Sequence, residues 1–383
     1  MTIGPGDIYW ERFSHNAIVI RDDRAQTEVA YNWGMFNFTD TDFISRLLRG
    51  RMRYFMQGFP ASAWVDEYRR TNRDVWLQPV NLTPGERLEL QTLLTEMDTD
   101  ANRYYRYDYF RDNCSTRVRD ALDRVLRGQI RGATENTETG TTYRWHTARL
   151  IQSVPLAYAG IQFVFGNRAD EPISAWEEMF LPLRLREHLE GVRIAQAEGG
   201  PAPLLGEAVQ LIEAGRDPVP VAAPDLLFPL LLLGTVFGVF FAGLGWVAGE
   251  GKRWGRRALA LMGAGWSFGV GLFGTALLLS WFLTDHVFLA VNENAFPANP
   301  VSLILAVVLI RVALKREALT TTTKAGIPVD VVAKVVAGLA ICGFLVQVLP
   351  GFDQVNGEVL AVLLPAQVGL AWGVLQAWPR STV

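Results

Sequence analysis

Of the two cysteines in the chain, Cys114 is the one whose neighbours suit chemistry. It lies in the run Tyr107-Asp-Tyr-Phe-Arg-Asp-Asn-Cys-Ser-Thr-Arg-Val-Arg-Asp-Ala-Leu122. There an aromatic, polar approach gives way to a helical pattern with Val118, Leu122 and Val125 on one face. A thiol in the first turn of a helix meets unpaired N–H groups and the positive end of the helix dipole, which favour thiolate over thiol. Far upstream, Glu11-Arg-Phe-Ser-His-Asn-Ala-Ile-Val-Ile20 puts His15 at the mouth of an apolar strand. Acyl transfer by a thiol needs a base beside the sulfur and a group that orients the base. His15 is the candidate base. Asn32, on the strand expected to pair with that of His15, is the candidate orienting group, with Asn16 and Asn37 as alternatives. The backbone N–H of Cys114, opening a helix, is a natural oxyanion donor. Blander readings compete, because free cysteine is often a buried small hydrophobe and a histidine at a strand end is often simply hydrogen-bonded there. Asp112, Asn113, Ser115 and Thr116 are not the flanks of a core cysteine, and the two residues together point to a nucleophilic pair.

Other polar residues are candidates for substrate contact. Tyr104, Tyr105, Tyr107 and Tyr109 precede the nucleophile and either line an acyl groove or form the aromatic face of a strand. Tyr107 and Asn113 are the ones nearest the chemistry. Farther on, Thr284-Asp-His286, Asn292, Asn294 and Asn299 cluster between two apolar segments, and His286, Asn292 and Asn294 are candidates to contact lipid head groups there or else cap helix ends. His146 and His188 lack the paired spacing of metal ligands and read as structural or surface residues. No metal or organic cofactor is expected.

These residues need elements to position them. Residues 17–20 and 28–33 read as the strands of a hairpin, with Val29, Tyr31 and Trp33 on one face. Residues 41–57 read as a helix. Thr83-Pro-Gly-Glu86 is a capped helix start, running to about Met97. The Cys114 helix is expected to end near Gly128, followed by a polar loop over 131–142 and more helix over 143–192. The Pro-, Gly- and Ala-rich stretch 196–224 reads as a linker, which bounds a first domain at 1–195.

The remainder, 225–383, is a membrane domain. Five apolar segments, about 226–248, 258–283, 301–314, 329–349 and 359–378, mostly approach the ~20 residues needed to span a bilayer. Glycines are frequent in the first two, a pattern that permits close helix packing. Lys252, Arg253, Arg256 and Arg257 follow the first segment; Arg311, Lys315, Arg316 and Lys324 lie at and beyond the end of the third; Arg380 follows the fifth. The loops 284–300 and 350–358 hold no Lys or Arg. The basic loops and the C-terminus are then expected in the cytoplasm, with residues 1–220 outside. Residues 1–20 lack the charged start, apolar stretch and small-residue cleavage site of a signal peptide, so the export signal is expected to have been removed or to lie upstream. The net charge of −3 and the absence of a basic-aromatic stripe speak against nucleic-acid binding.

The pieces Arg12-Phe-Ser-His-Asn-Ala17, Tyr31-Asn-Trp-Gly-Met-Phe36, Tyr107-Asp-Tyr-Phe-Arg-Asp-Asn-Cys114 and Met179-Phe-Leu-Pro182 resemble the Lnb N-terminal periplasmic domain family, and the 284–300 segment resembles that family's transmembrane part. The order of His before Cys is also similar to the permuted papain-like fold of lecithin:retinol acyltransferase. The resemblance implies an α+β, permuted papain-like (NlpC-like) extracytoplasmic domain followed by an all-α bundle of about five transmembrane helices. It implies a bacterial inner-membrane lipoprotein N-acyltransferase with Cys114 as nucleophile and His15 as base. Its partners would be a phospholipid acyl donor, a lipoprotein acceptor and the bilayer. Ser14 departs from the pattern, which would carry Gly before the histidine. Alternative readings are a Cys-His hydrolase acting on peptidoglycan or phospholipid, and a binding module with an inert cysteine.

Overall fold

Alternating apolar residues draw the first strands together. A computed structural model describes residues 1–37, 39–195, 200–314 and 328–378. Its N-terminal unit comprises Met1–Pro155 and Glu171–Ala223. The strands β1 (Thr2–Ile3), β2 (His15–Asp22), β3 (Thr27–Met35), β4 (Arg53–Pro60), β5 (Val75–Leu77) and β6 (Tyr104–Arg106) belong to one seven-stranded sheet. The seventh strand, β11 (Val209–Ile212), is contributed from near the C-terminal end of the unit. The sheet is antiparallel throughout, in the order β11-β5-β1-β2-β3-β4-β6.

Interleaved with these strands are helices α1 (Phe43–Arg49), α2 (Ala61–Arg70), α3 (Pro84–Met97), α4 (Cys114–Val125) and α5 (Gln129–Thr134). Beyond them come β7 (Glu138–Thr142) and α6 (Tyr143–Ile151). Helix α7 (Pro155–Val164) opens an excursion considered below. The chain then gives β8 (Pro172–Ser174), α8 (Ala175–Glu178), α9 (Pro182–Gly191), β9 (Arg193–Ile194), β10 (Ala202–Pro203) and β11 (Val209–Ile212). One sheet face, carrying Ile18, Tyr31, Trp33 and Met56, packs on α3, α4, α5 and α9. The other carries Ala17 and Ala30 against Ala61 and Trp64 of α2. The period-2 alternation expected of the hairpin is present, and β2 and β3 pair with Ala17 opposite Asn32.

Three expectations about elements are corrected. The helix expected over 41–57 is only α1, because Gly50 adopts φ 69° and stops it, and the alternation from Arg51 onward belongs to β4. The loop expected over 131–142 is partly α5 and β7. The linker expected over 196–224 carries β10 and β11, the latter pairing with β5 at the sheet edge, so the N-terminal unit extends to Ala223. Residues 196–199 of that stretch lie outside the described residues.

The second unit comprises Leu156–Asp170 and Pro224–Val383. Its helices are α10 (Leu227–Gly249), α11 (Arg253–Leu283), α12 (Val301–Leu314), α13 (Val329–Leu345) and α14 (Gly357–Ala377). Among the described residues, four helices are long and apolar enough to cross a membrane, the last two being Val329–Val348 and Gly357–Ala377. The described part of α12 rises only about 21 Å at 1.5 Å per residue, short of the ~30 Å hydrocarbon core. Lys315, Arg316, Lys324 and Arg380 fall outside the described residues. The expected close packing at glycine is present between α10 and α14. A Cβ on Gly245 would lie 2.2 Å from Gly373 Cα, and one on Gly234 would lie 2.2 Å from the carbonyl oxygen of Ala361. Pro365 deprives that carbonyl of its intrahelical donor. Gly243, Gly265 and Gly269 face open space.

Candidate active site

The β2–β3 ladder ends at Ala17 and Asn32, and Gly34, at φ 93°, bends β3 away. Cys114 comes up beside this parting of the strands: a Cβ on Gly34 would sit 3.6 Å from that of Cys114, an ordinary contact. The glycine is needed for its backbone angle, then, rather than for space. The backbone N–H groups of Asn16, Cys114 itself and Ser115 lie near the sulfur and favour its thiolate, though that of Ser115 is already given to Asn113.

Helix α4 is fixed there by Asn113. Its amide oxygen accepts from the N–H groups of Ser115 (2.8 Å) and Thr116 (3.0 Å), and its amide nitrogen donates to the carbonyls of Tyr109 (3.0 Å) and Phe180 (2.9 Å). Asn113 is buried and fully engaged as the helix cap, which removes it from the candidate substrate contacts. Ser115 Oγ donates to the carbonyl of Met179 (2.7 Å), and Asn16 Nδ2 donates to Ser115 Oγ (3.2 Å). The Met179-Phe-Leu-Pro182 stretch thereby braces the nucleophile helix.

His15 opens β2. Its Nε2 is 3.1 Å from Asn32 Oδ1, and the Asn32 amide nitrogen donates to the carbonyl of Ala30 (3.1 Å), which fixes the amide oxygen toward the ring. An amide oxygen only accepts, so neutral His15 carries its proton on Nε2 and its lone pair on Nδ1. Of the three candidate orienting groups, Asn32 is the one that reaches the imidazole. Asn16 is committed to Ser115 and Pro182, and Asn37 to Thr39 and Asp40.

Burial reverses one expectation. Loss of hydration pushes the Cys114 thiol up to about 11, outweighing the three N–H groups and the Arg73 charge that favour thiolate. Burial, with the Arg73 charge beside it, pulls His15 down to about 4 against the opposing hydrogen bond that it donates to Asn32. The resting pair at neutral pH is a thiol and an uncharged imidazole.

Arg73 was not flagged by the sequence. Its guanidinium is buried, donates to the carbonyl of Gly4 (2.9 Å) and lies 3.4 Å from Glu11. Nothing in Asn72-Arg-Asp74 marks it, since it reaches the site only through sheet pairing. Tyr107 stacks on Tyr54 at 4.1 Å between ring centres, and burial with the nearby Cys114 raises its hydroxyl pKa well above the ordinary tyrosine value.

The remaining sequence candidates belong to the second unit. Asn292 donates to the carbonyls of Phe163 (3.0 Å) and Val164 (2.9 Å), and Asn294 to those of Gln162 (3.2 Å) and Phe163 (2.9 Å). Both are buried and satisfy the orphan carbonyls at the C-terminal end of α7, so they act as helix caps rather than head-group contacts. His286 is half-buried in the irregular segment after α11.

Ser14 occupies φ 71°, ψ −170°, a region that is essentially glycine's alone. The residue that departs from the Phe-Gly-His pattern thus sits where glycine is favoured, next to the candidate base. Ser14→Gly is expected to stabilise the protein by about 1 kcal/mol, the relief of strain exceeding the added freedom of the unfolded chain. A thermal melt of the purified protein checks this; a lower Tm would contradict it.

Residues 1–153 match the family model of the Lnb N-terminal periplasmic domain. No curated protein and no solved structure matches the chain. With the apolar helices that follow, the protein is a membrane protein, and over residues 1–153 its N-terminal α+β domain is similar to the Lnb N-terminal periplasmic domain family.

Proposed function

We propose that this chain is a membrane-bound, thiol-dependent lipoprotein N-acyltransferase of the bacterial inner membrane, with its N-terminal domain on the periplasmic side and its C-terminus in the cytoplasm. The observation that carries the reading is the sulfur of Cys114 at the parting of β2 and β3. There, backbone N–H groups face it, and the His15–Asn32 pair occupies the adjoining strand residues. His15 Nδ1 takes the thiol proton as the sulfur attacks an ester carbonyl of a phospholipid, so no free thiolate needs to accumulate. The N–H groups of Cys114 and Asn16 stabilise the developing oxyanion. The C–O bond breaks, the imidazolium returns its proton to the leaving alkoxide, and a lysophospholipid departs. The α-amine of a diacylglyceryl-cysteine lipoprotein then attacks the thioester. An amide forms, the S–C bond breaks, and the amine's proton passes by way of His15 to the sulfur. A membrane tether suits substrates that are both confined to a bilayer.

The test is intact-mass analysis of wild type and Cys114→Ser after incubation with phospholipid vesicles. A hydroxylamine-labile gain of one acyl chain on wild type alone, with lysophospholipid released, is the expected result. Lysophospholipid accumulating when a diacylated lipopeptide is present and remains unmodified would instead identify a lipase. Neither adduct nor lysophospholipid would overturn the reading.

A further inference from the structure

Helix α1 is amphipathic and turned the wrong way for water. Ile44, Leu47 and Leu48 share one face at helical spacing, and they are 63%, 45% and 66% exposed. The short helix Tyr9–Phe13 adds Trp10, 51% exposed, preceded by Ile8 at 48%. Aromatic contacts join the two elements: Trp10 to Phe36 at 6.3 Å between ring centres, and Phe36 to Phe43 at 6.1 Å. A contiguous apolar surface of this kind marks an interaction site.

Two observations on the same domain identify its occupant. The first is charge. Between Phe43 and Arg53 the chain carries Arg46, Arg49, Arg51 and Arg53 and no acidic residue. Arg49, Arg51 and Arg53 are exposed; Arg53 lies over the Tyr104 ring at 3.8 Å and Arg46 pairs with Asp42 at 2.6 Å. An exposed apolar stripe bordered by arginines is the signature of a helix lying in a membrane interface, with its apolar face among acyl chains and its cations at anionic head groups. The second is continuity. The aromatic surface runs inward through Phe36 stacked on Tyr54 at 4.9 Å and Tyr54 stacked on Tyr107, in the segment that leads into Cys114. A protein surface would bury the stripe equally well, but it would give no reason for an apolar path from the stripe to the cysteine.

We propose that α1 and the Ile8–Trp10 turn form a membrane-interface anchor of the N-terminal domain, inserted among the acyl chains of an anionic bilayer. The anchor does not depend on which reaction Cys114 performs. The apolar side chains enter the leaflet, and the arginines hold the phosphate oxygens at its surface.

The full chain tests this in vesicles of phosphatidylethanolamine and phosphatidylglycerol. Single cysteines are introduced as Ile44→Cys, Leu47→Cys and Leu48→Cys in a Cys114→Ser, Cys342→Ala background and labelled with a nitroxide. Leu88→Cys, at a position 65% exposed on α3, serves as the aqueous reference. These positions are exposed, so the labels perturb no packing. Labels at 44, 47 and 48 are expected to collide more with oxygen than with a water-soluble nickel chelate, and the label at 88 the reverse. Labels at 44, 47 and 48 that behave like the one at 88 would overturn the proposal. Labels shielded from both reagents would also overturn it, pointing to a protein partner. Because the background lacks the nucleophile, either failure would leave the acyltransfer reading untouched.

Discussion

Cys114→Ser is expected to lower acyl turnover by roughly 10⁴- to 10⁶-fold, the loss that follows removal of a nucleophile acting as one unit with its base. His15→Ala is expected to lose roughly 10²- to 10⁴-fold, the scale of general-base assistance. The pH dependence is more diagnostic than either loss. A histidine with its ordinary pKa would give an acid limb near 6.5. Burial and the Arg73 charge hold His15 down to about 4, so it remains a competent base at pH 5, and kcat/KM is expected to fall only as the pH approaches 4. The sulfur is pushed up to about 11 by its burial, so alkylation of the resting enzyme by iodoacetamide is expected to keep accelerating up to that pH. The same shifts bear on stability. His15 binds its proton more weakly folded than unfolded, so its contribution is complete above about 6.5 and is lost as the pH falls toward 4. Cys114 behaves oppositely: its contribution is complete below about 9 and is lost as the pH rises toward 11. An acid limb at 6.5 that shifts in no way with Arg73→Gln would remove His15 from the assigned role.

The local parts of this site were legible in the sequence, and the collective parts were not. Helix α4 starts at Cys114 because Asn113 and Thr116 form a reciprocal cap, a pattern of neighbouring residues. The reach from His15 to Asn32 follows from hairpin geometry and two strand positions. Hydration around the sulfur depends on what packs over it, and so the helix-start argument gave the right direction for the N–H groups but the wrong winner. Arg73 arrives through β5, which is three residues long, and β11 is mostly exposed, so neither strand carries a strong alternation. The helix expected over 41–57 failed at a single residue, since Gly50 ends α1 and hands an arginine-methionine alternation to β4. Most consequentially, Asn113, Asn292 and Asn294 look like ligand contacts in sequence because buried caps and binding residues use the same side chain. Only their partners separate the two uses.

Glu178→Ala should strongly destabilise the N-terminal domain. Glu178 is 3% exposed and receives His146 Nε2 at 2.7 Å, His188 Nε2 at 2.6 Å and Thr141 Oγ1 at 2.9 Å. Arg149 donates to His146 Nδ1 at 3.2 Å, and since a guanidinium only donates, the His146 proton must lie on Nε2, facing the carboxylate. Burial alone would raise the Glu178 pKa, but the hydrogen bonds from both histidines and the charges around them more than reverse this and leave it well below the ordinary value. Truncation strands those donors in a buried site, at a cost of about 3–5 kcal/mol, or a fall in Tm of roughly 10 °C for a domain of this size. The effect reaches the nucleophile, because the next residues give their carbonyls to Ser115, Asn113 and Asn16. In the fraction that remains folded, kcat is therefore expected to fall more than KM rises. Glu178→Gln should be intermediate, since one amide oxygen can accept from a histidine while the amide N–H groups oppose the other donor. Acid weakens the wild type by the same route: the depressed carboxyl contributes stability above about 4.5 that is lost below it. Burial also lowers the pKa of His146, so its contribution is lost as the pH falls below about 6.5. Hydrogen exchange over 113–116 and 179–182 in the full chain separates local loosening from global unfolding. A Glu178→Ala protein that melts like wild type, with unchanged protection in both segments, would show that the histidine–carboxylate cluster does not brace the cysteine.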